Sequence, residues 1–260
     1  MMRVWDRLDA WQDRRRALSG SIGFVPTMGA LHRGHASLVE RCRRENDIVV
    51  VSIFVNPTQF NDPKDLERYP RTLEHDLALL RDGGVDEVFA PTASEMYPGG
   101  YRLRIVDAAT PEMESAFRPG FLDGVRTIVL KLLNLVRADR AYFGEKDYQQ
   151  LEAIKDMVRE FSIPTEIVPC PTVREASGLA ESSRNTLLSG TSRRKAAAIY
   201  RILSSAPGAA EARHLLETEG FTVDYIEERW GRRLAAVFLD GIRLIDNVAI
   251  PQTQVEERCA

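Results

Sequence analysis

The run Asp47–Phe54, DIVVVSIF, constrains this chain more than any other stretch. Nearly every position is apolar and most are β-branched, so a strand built from it has no polar face to turn to water. Such strands belong to parallel sheets that are covered on both sides. Ile22–Val25 forms a second apolar run that Pro26 is expected to end, and Val85–Ala90 forms a third, closed by Pro91. Between them lie helical segments. One starts at Ala36, and the other is Thr72–Arg81, where Leu73, Leu77 and Leu80 fall at helical spacing before Gly83-Gly84. This β-α-β-α-β pattern predicts an α/β fold with a Rossmann-like parallel sheet. Ala141–Phe143 and Glu166–Val168 supply further strands. Gly124–Val136 is an apolar helix, and another helix runs from Asp147 to about Phe161. Tyr101–Val106 is expected as a strand apart from the main sheet. At the N-terminus, Val4, Leu8, Trp11 and Leu18 suggest a surface helix, with Arg14–Arg16 on its solvated face.

From Ser192 onward the character changes. Helices are expected near Arg193–Ser204 and Ala209–Glu219. Strands follow near Val223–Glu227, Leu234–Leu239 and Ile242–Ile245, with Gly241 in the last turn. The division drawn from the sequence is therefore 1–185, a Rossmann-like binding domain, and 186–260, a small C-terminal α+β domain expected to act as a lid.

The stretch Phe24–His35, FVPTMGALHRGH, carries the first chemical signal. A strand, a tight turn at Gly29 and a helix bring His32 and His35 to the helix start, on one side of a turn. Unsatisfied N–H groups, the helix dipole and two imidazoles suit a phosphate there. A zinc reading of His-x-x-His lacks a nearby Cys or carboxylate at ligand spacing, and a purely structural pair is the other alternative. Pro57 leaves Asn56 and Gln59 at the C-terminal edge of the DIVVVSIF strand, where doubly wound sheets bind ligands. Lys146 lies after Gly144 at another strand end, able to meet phosphate as a point charge, and Gln150 follows one helical turn later. Ser182, Ser183 and Arg184 offer two hydroxyls and a guanidinium, enough to grip a triphosphate. Taken singly, these residues also fit ordinary turns, loops and surface pairs.

The 260 residues are 44% hydrophobic and 28% charged, with a net charge of −3, which gives no sign of a general nucleic-acid surface. No apolar stretch approaches the ~20 residues that span a bilayer. Cys42, Cys170 and Cys259 form no CxxC pair, and their odd number fits a reducing, cytoplasmic setting.

PTMGALHRGH, VVVSIFVNPTQF, YPRTLEHDLALL, YFGEKDYQQL and PTVREASGLAESSRN, with RLIDN near the end, resemble the pantothenate synthetase (pantoate–β-alanine ligase) family, in the family's order. The resemblance implies a nucleotidyltransferase-like fold, related to the core of class I aminoacyl-tRNA synthetases, in a cytosolic homodimer. It implies that pantoate attacks the α-phosphorus of ATP to give pantoyl adenylate and pyrophosphate. β-Alanine then gives pantothenate and AMP, with Mg²⁺ accompanying the ATP.

By motif position, Met28, Gly29, Ala30, Leu31, His32, Arg33, Gly34 and His35 contact ATP, His35 being the proton donor and His32 a phosphate-binding neighbour. Asn56, Gln59 and Gln150 bind pantoate, Gln59 lying near β-alanine as well. Gly144, Glu145, Lys146 and Asp147, then Val173, and then Glu181, Ser182, Ser183 and Arg184 hold the nucleotide, with Lys146 the charged catalytic member. The chain departs at Glu181, where the family usually has Met or Leu, at Met113-Glu-Ser, at Phe121-Leu122 after Arg118-Pro-Gly, and at His75. A catalytically weakened nucleotide-binding relative and another nucleotidyltransferase are the alternative readings.

Overall fold

The structure is a computed structural model and describes residues 1–61, 63–109 and 111–251, so Cys259 lies outside the described residues. Two compact units are present. The first comprises Met1–Glu145 with Gln149–Cys170, and the second Lys146–Tyr148 with the described residues from Pro171 onward.

Six strands make the sheet of the first unit: β1 (Arg3–Trp5), β2 (Ile22–Thr27), β3 (Ile48–Ile53), β4 (Glu87–Phe89), β5 (Arg140–Gly144) and β6 (Glu166–Cys170). Their order is β1-β4-β3-β2-β5-β6, and every pair is parallel. From β2 the chain first builds outward through β3 and β4, then returns to add β5 and β6 on the other side. The reversal falls between β2 and β5, the place where open α/β sheets bind ligands outside their strand ends.

The DIVVVSIF reading holds at the level of side chains. Val49 and Val51 join Val25, Val88, Leu38, Val39, Cys42 and Leu80 in one buried cluster. Val50 and Phe24 are fully buried as well. Successive strand residues point to opposite faces, so these even-numbered positions serve the other side of the sheet. Trp11 lies there too, stacked 5.3 Å from Phe89 and donating to the Leu135 carbonyl at 3.1 Å. Leu135 belongs to the helix Phe121–Val136, which starts three residues before the expected Gly124 and buries Val125, Ile128, Val129, Leu132, Leu133 and Val136.

Three expectations are corrected. Pro26 does not end β2, which continues to Thr27. The Thr27 carbonyl accepts from Phe54 on the β3 side, so the neighbouring Pro26 nitrogen faces β5, where pairing has already stopped at Phe24–Ala141. The missing N–H therefore costs no ladder bond. Tyr101–Val106 forms no strand: Leu103 is 89% and Val106 64% exposed, and the Ile105 N–H donates to the Thr127 hydroxyl. At the N-terminus, Arg3–Trp5 is an edge strand, and the helix occupies Leu8–Ala17.

Nor is Arg14–Arg16 a solvated face throughout. Arg14 Nε donates at 2.7 Å to Glu87, a β4 carboxylate that is 2% exposed and also accepts from Trp5 Nε1 at 2.7 Å. Arg15 bonds the carbonyls of Val136 and Arg137, whereas Arg16 pairs with Asp13 in solvent.

In the second unit, β7 (Thr222–Arg229), β8 (Arg232–Leu239) and β9 (Ile242–Ala249) form an antiparallel meander, each strand longer than its sequence pattern suggested. Ile226, Val237 and Leu244 pack in one core with Ile199, Ile202, Leu203 and Leu216 of the helices Ala198–Ser205 and Ala209–Thr218. The helix expected at Arg193–Ser204 begins earlier, at Gly190, and is interrupted at Ala197.

Removing one partner of a buried ion pair leaves an uncompensated charge. Arg14→Ala is therefore expected to lower stability by about 2–3 kcal/mol in denaturant unfolding, reduced from the fully buried case because Trp5 still donates. Arg16→Ala should change it by less than about 0.5 kcal/mol. Equal effects would mean that Glu87 is not held by Arg14.

Candidate active site

The turn after β2 is built by satisfying its backbone donors. Thr27 Oγ1 donates to the Ser52 carbonyl at 2.7 Å and accepts from Gly29 N at 3.2 Å. Gly29 (φ +78°) and Ala30 (φ +50°) are both left-handed, which aims successive N–H groups to one side. Ala30 N and Leu31 N meet Asp76 there, at 3.0 and 2.8 Å, and Thr72 Oγ1 donates to the same carboxylate at 3.1 Å. Asp76 is 1% exposed. Sequence reasoning missed it, although a signal exists: Asp76 sits on the same helical stripe as Leu73, Leu77 and Leu80, and a carboxylate on an apolar face needs a partner.

His32 and His35 cap the helix Arg33–Glu45 reciprocally. His32 Nδ1 accepts from Gly34 N at 3.1 Å, and His35 Nδ1 accepts from His32 N at 3.3 Å. The arrangement copies a capping box with imidazoles in place of hydroxyl and carboxylate. A neutral ring that accepts at Nδ1 carries its hydrogen on Nε2, so both rings become Nε2–H donors. The ring centroids lie 4.2 Å apart. Met28, Gly34 and the two histidines are partly exposed, and Arg33 is exposed.

At the end of neighbouring β3, Asn56 caps the 3₁₀ turn Pro57–Gln59. Its Oδ1 accepts from the Tyr97 hydroxyl at 2.8 Å and the Thr58 hydroxyl at 3.0 Å. Its Nδ2 donates to Gln59 Oε1 at 2.9 Å and to the Gly124 carbonyl at 3.1 Å. Burial pushes the Tyr97 hydroxyl pKa up, which keeps it a donor. With Oε1 engaged, the Gln59 amide has its NH₂ left to offer a ligand. A Cβ on Gly124 would stand 2.4 Å from the Thr58 carbonyl, so only glycine allows this approach. Arg118 Nη2 donates to the Gln59 carbonyl at 3.1 Å, and its guanidinium lies 3.6 Å from the Phe121 ring centroid. In this chain the altered Arg118-Pro-Gly-Phe segment thus braces the Gln59 turn.

On the other side of β2, β5 ends at Gly144, followed by Glu145. Gln150 is partly buried on the helix Tyr148–Glu160. The ends of β2, β3 and β5 are adjacent in the sheet, so the first unit gathers Met28–His35, Asn56, Gln59 and Gly144 along one edge.

The remaining candidates lie in the second unit. Lys146 Nζ is 3.9 Å from Asp147, and the Lys146 carbonyl accepts from Asn247 Nδ2 at 2.9 Å. Val173 O accepts from Glu181 N at 2.9 Å, and Arg174 bridges to Ala180, so this segment is a short hairpin. Ser182 caps the 3₁₀ turn Ser183–Leu187 through Arg184 N, leaving the Arg184 side chain exposed. The Arg193 guanidinium pKa is raised, first by its hydrogen bonds to Glu175 and then by that group's charge, with Glu181 adding to the effect. The charge of Glu181 is thus felt at a basic neighbour within its own unit.

Among the described residues no cluster of three or more His, Cys, Asp or Glu is placed to hold a metal ion, and no helix is long and apolar enough to cross a membrane.

Asp76→Asn keeps the shape but turns an NH₂ or a single acceptor toward two N–H donors. It should cost about 1–3 kcal/mol, read by denaturant unfolding. Unchanged stability would show that the carboxylate does not pin the turn.

Residues 1–249 match the family model described as pantoate-beta-alanine ligase. The chain is 50% identical over 251 residues to the pantothenate synthetase of Bdellovibrio bacteriovorus, covering 96% of this chain and 99% of that one. It is 47% identical over 249 residues to that of Coxiella burnetii, covering 95% and 97%. A pantoate-beta-alanine ligase from Francisella tularensis, crystallised with beta-gamma ATP and β-alanine, superposes with a TM-score of 0.91 at 42% identity, over 96% of this chain and 98% of that one. The pantothenate synthetase of Thermus thermophilus gives 0.88 at 45% identity, over 96% and 100%. The reaction of these enzymes is the ATP-dependent condensation of pantoate with β-alanine, which forms a C–N bond. With the match running from residue 1 to 249, this chain belongs to the pantoate–β-alanine ligase family.

Proposed function

We propose that this chain condenses pantoate with β-alanine in two steps on the residues assigned above. In the first, a pantoate carboxylate oxygen attacks the α-phosphorus of ATP, and pyrophosphate leaves. In the second, the β-alanine amine attacks the acyl carbon of pantoyl adenylate, pantothenate forms and AMP leaves. Met28–His35, Gly144–Asp147, Val173 and Glu181–Arg184 bind the nucleotide, and Asn56, Gln59 and Gln150 bind pantoate, with Gln59 also near β-alanine. We keep 1–185 as the binding portion and 186–260 as a small lid.

The observation that carries this reading is the reciprocal histidine cap at the sheet's point of reversal. It presets two Nε2–H donors beside a helix N-terminus, where negative charge on a phosphate is favoured. Adenylate formation builds charge around phosphorus and needs no covalent enzyme intermediate, so preorganised donors and positioning supply most of the acceleration. Lys146 adds a point charge, and His35 acts as the proton donor. Neutral amides suit the second substrate: they donate to its oxygens without neutralising the attacking carboxylate. The Asn56–Gln59 bond supports this, since it orients the Gln59 NH₂.

Magnesium would accompany the nucleotide. It would be held by one or two carboxylates and the substrate phosphates rather than by a protein cage. When bound it would neutralise phosphate charge. A cytoplasmic homodimer completes the proposal, on the strength of the family resemblance.

Two measurements test this reading. Labelled pyrophosphate should exchange into ATP only when pantoate is present, and β-alanine should then draw the label into net turnover. Exchange without pantoate, or none with it, overturns the proposed reaction; pyrophosphate release with no amide product would mark another nucleotidyltransferase. His35→Ala should lower kcat at least ~100-fold, the scale of one transition-state donor. A loss of a few-fold would remove His35 from that role.

A further inference from the structure

The motif RLIDN, Arg243–Asn247 on β9, has no part in the assignments above. Its last two residues nevertheless touch both nucleotide segments of the second unit. Asn247, 1% exposed, donates from Nδ2 to the Lys146 carbonyl at 2.9 Å and accepts at Oδ1 from Arg232 Nε at 2.5 Å. Asp246, 4% exposed, takes Arg174 in a two-point ion pair, at 2.7 Å from Nη1 and 2.9 Å from Nη2. Arg174 follows Val173 at the base of the hairpin that leads to Ser182–Arg184. The same guanidinium donates to the Asn247 carbonyl at 3.1 Å and to the Gly178 carbonyl at 3.0 Å, and it lies 3.9 Å from the Tyr200 ring centroid.

We propose that Asp246 and Asn247 are positioning residues for ATP: Asn247 sets the lysine turn, Asp246 sets the root of the Ser182–Arg184 loop, and their adjacency on β9 keeps the two in step. This rests on the assignment of Lys146 and Ser182–Arg184 to the nucleotide. The physical case is one of rigidity. Lys146 is the middle residue of a single 3₁₀ turn, Glu145–Asp147, which is too short to fix itself. A lysine has four rotatable carbons beyond its backbone, so a mobile carbonyl at its root spreads the ammonium over several ångströms. Asn247 ties that root to a strand whose register with β8 runs unbroken from Ile242 to Ala249. The Arg174 fork, bidentate to carboxylate and stacked on an aromatic ring, does the same for the hairpin, with a geometry that no lysine reproduces.

The test uses Asn247→Asp, which keeps an acceptor for Arg232 but loses the N–H donor and turns a carboxylate toward the Lys146 carbonyl. Pantoate-dependent pyrophosphate exchange reads the KM for ATP and for pantoate separately, in N247D, Lys146→Ala and the double variant. N247D should raise the KM for ATP about fivefold or more, the scale of one lost hydrogen bond, and leave the KM for pantoate within twofold. In the double variant the Asn247 change should add less than about twofold to the effect of K146A, because both act through one group. Additive effects, or equal rises for both substrates, would reduce Asn247 to general stability and overturn the inference. A wild-type KM for ATP in K146A would instead overturn the assignment of Lys146, which separates the two failures. Should N247D not fold, Asn247→Ala enters the same cycle, with amide hydrogen exchange at 145–148. Protection there equal to wild type would also overturn the tether.

Discussion

The start of a helix and the turn before it leave backbone N–H groups without helical partners, and in this chain side chains take them. Asp76 takes the amides of Ala30 and Leu31. His35 takes that of His32, and His32 takes that of Gly34. Capping is worth about 1 kcal/mol per helix, but its larger consequence here is chemical. Spending each Nδ1 on a backbone donor fixes the tautomer, so the hydrogen of each ring sits at Nε2. The helix cap and the proposed donor pair for a phosphate are one arrangement, and neither can be altered without the other.

The sheet supplies the second condition. Because β2 lies between β3 and β5, three successive strand ends are neighbours although Gly29, Asn56 and Gly144 are far apart in the chain. Each end is closed by a separate local device. For β2 it is a left-handed turn over a buried carboxylate. For β3 it is an Asn-capped 3₁₀ turn, held by Tyr97 and approached by Gly124 within contact of its backbone. For β5 it is a glycine leading into the Glu145–Asp147 turn. The supports of these turns (Asp76, Tyr97, Arg118, Asn247) bond their backbone amides and carbonyls or, for Tyr97, the Asn56 side chain. They remove freedom from the groups that the proposed function assigns to the substrates, which preorganisation requires.

The family's motifs vary in this chain at places where the structure shows what the variant residue does. Glu181, where the family resemblance leads one to expect Met or Leu, adds its charge to the causes that raise the Arg193 pKa. Phe121, after Arg118-Pro-Gly, lies under the Arg118 guanidinium, which in turn holds the Gln59 carbonyl. No comparable contact accounts for His75, which is exposed.

Periodicity and composition alone determined that DIVVVSIF is a strand covered on both faces, that the surrounding units make a parallel sheet, and that FVPTMGALHRGH presents a turn with two histidines at a helix start. These are local properties: side-chain alternation, glycine at a left-handed turn, spacing along one helix. The tertiary structure decided what sequence spacing cannot encode. Pro26 lies inside a strand because the neighbour on its nitrogen side has already stopped pairing. Arg14 looks like one of three solvated arginines until Glu87, distant in sequence, places a buried carboxylate beside it. Tyr101–Val106 has the alternation of a strand but no neighbouring strand among the described residues to complete a ladder. Asp76, Asn247 and Asp246 read as an ordinary helix carboxylate and two strand residues, because their bonds reach segments distant in sequence: backbone amides and a carbonyl for Asp76 and Asn247, the Arg174 guanidinium for Asp246. Backbone donors and acceptors are the same at every residue, so nothing in a sequence marks which of them a distant side chain will find.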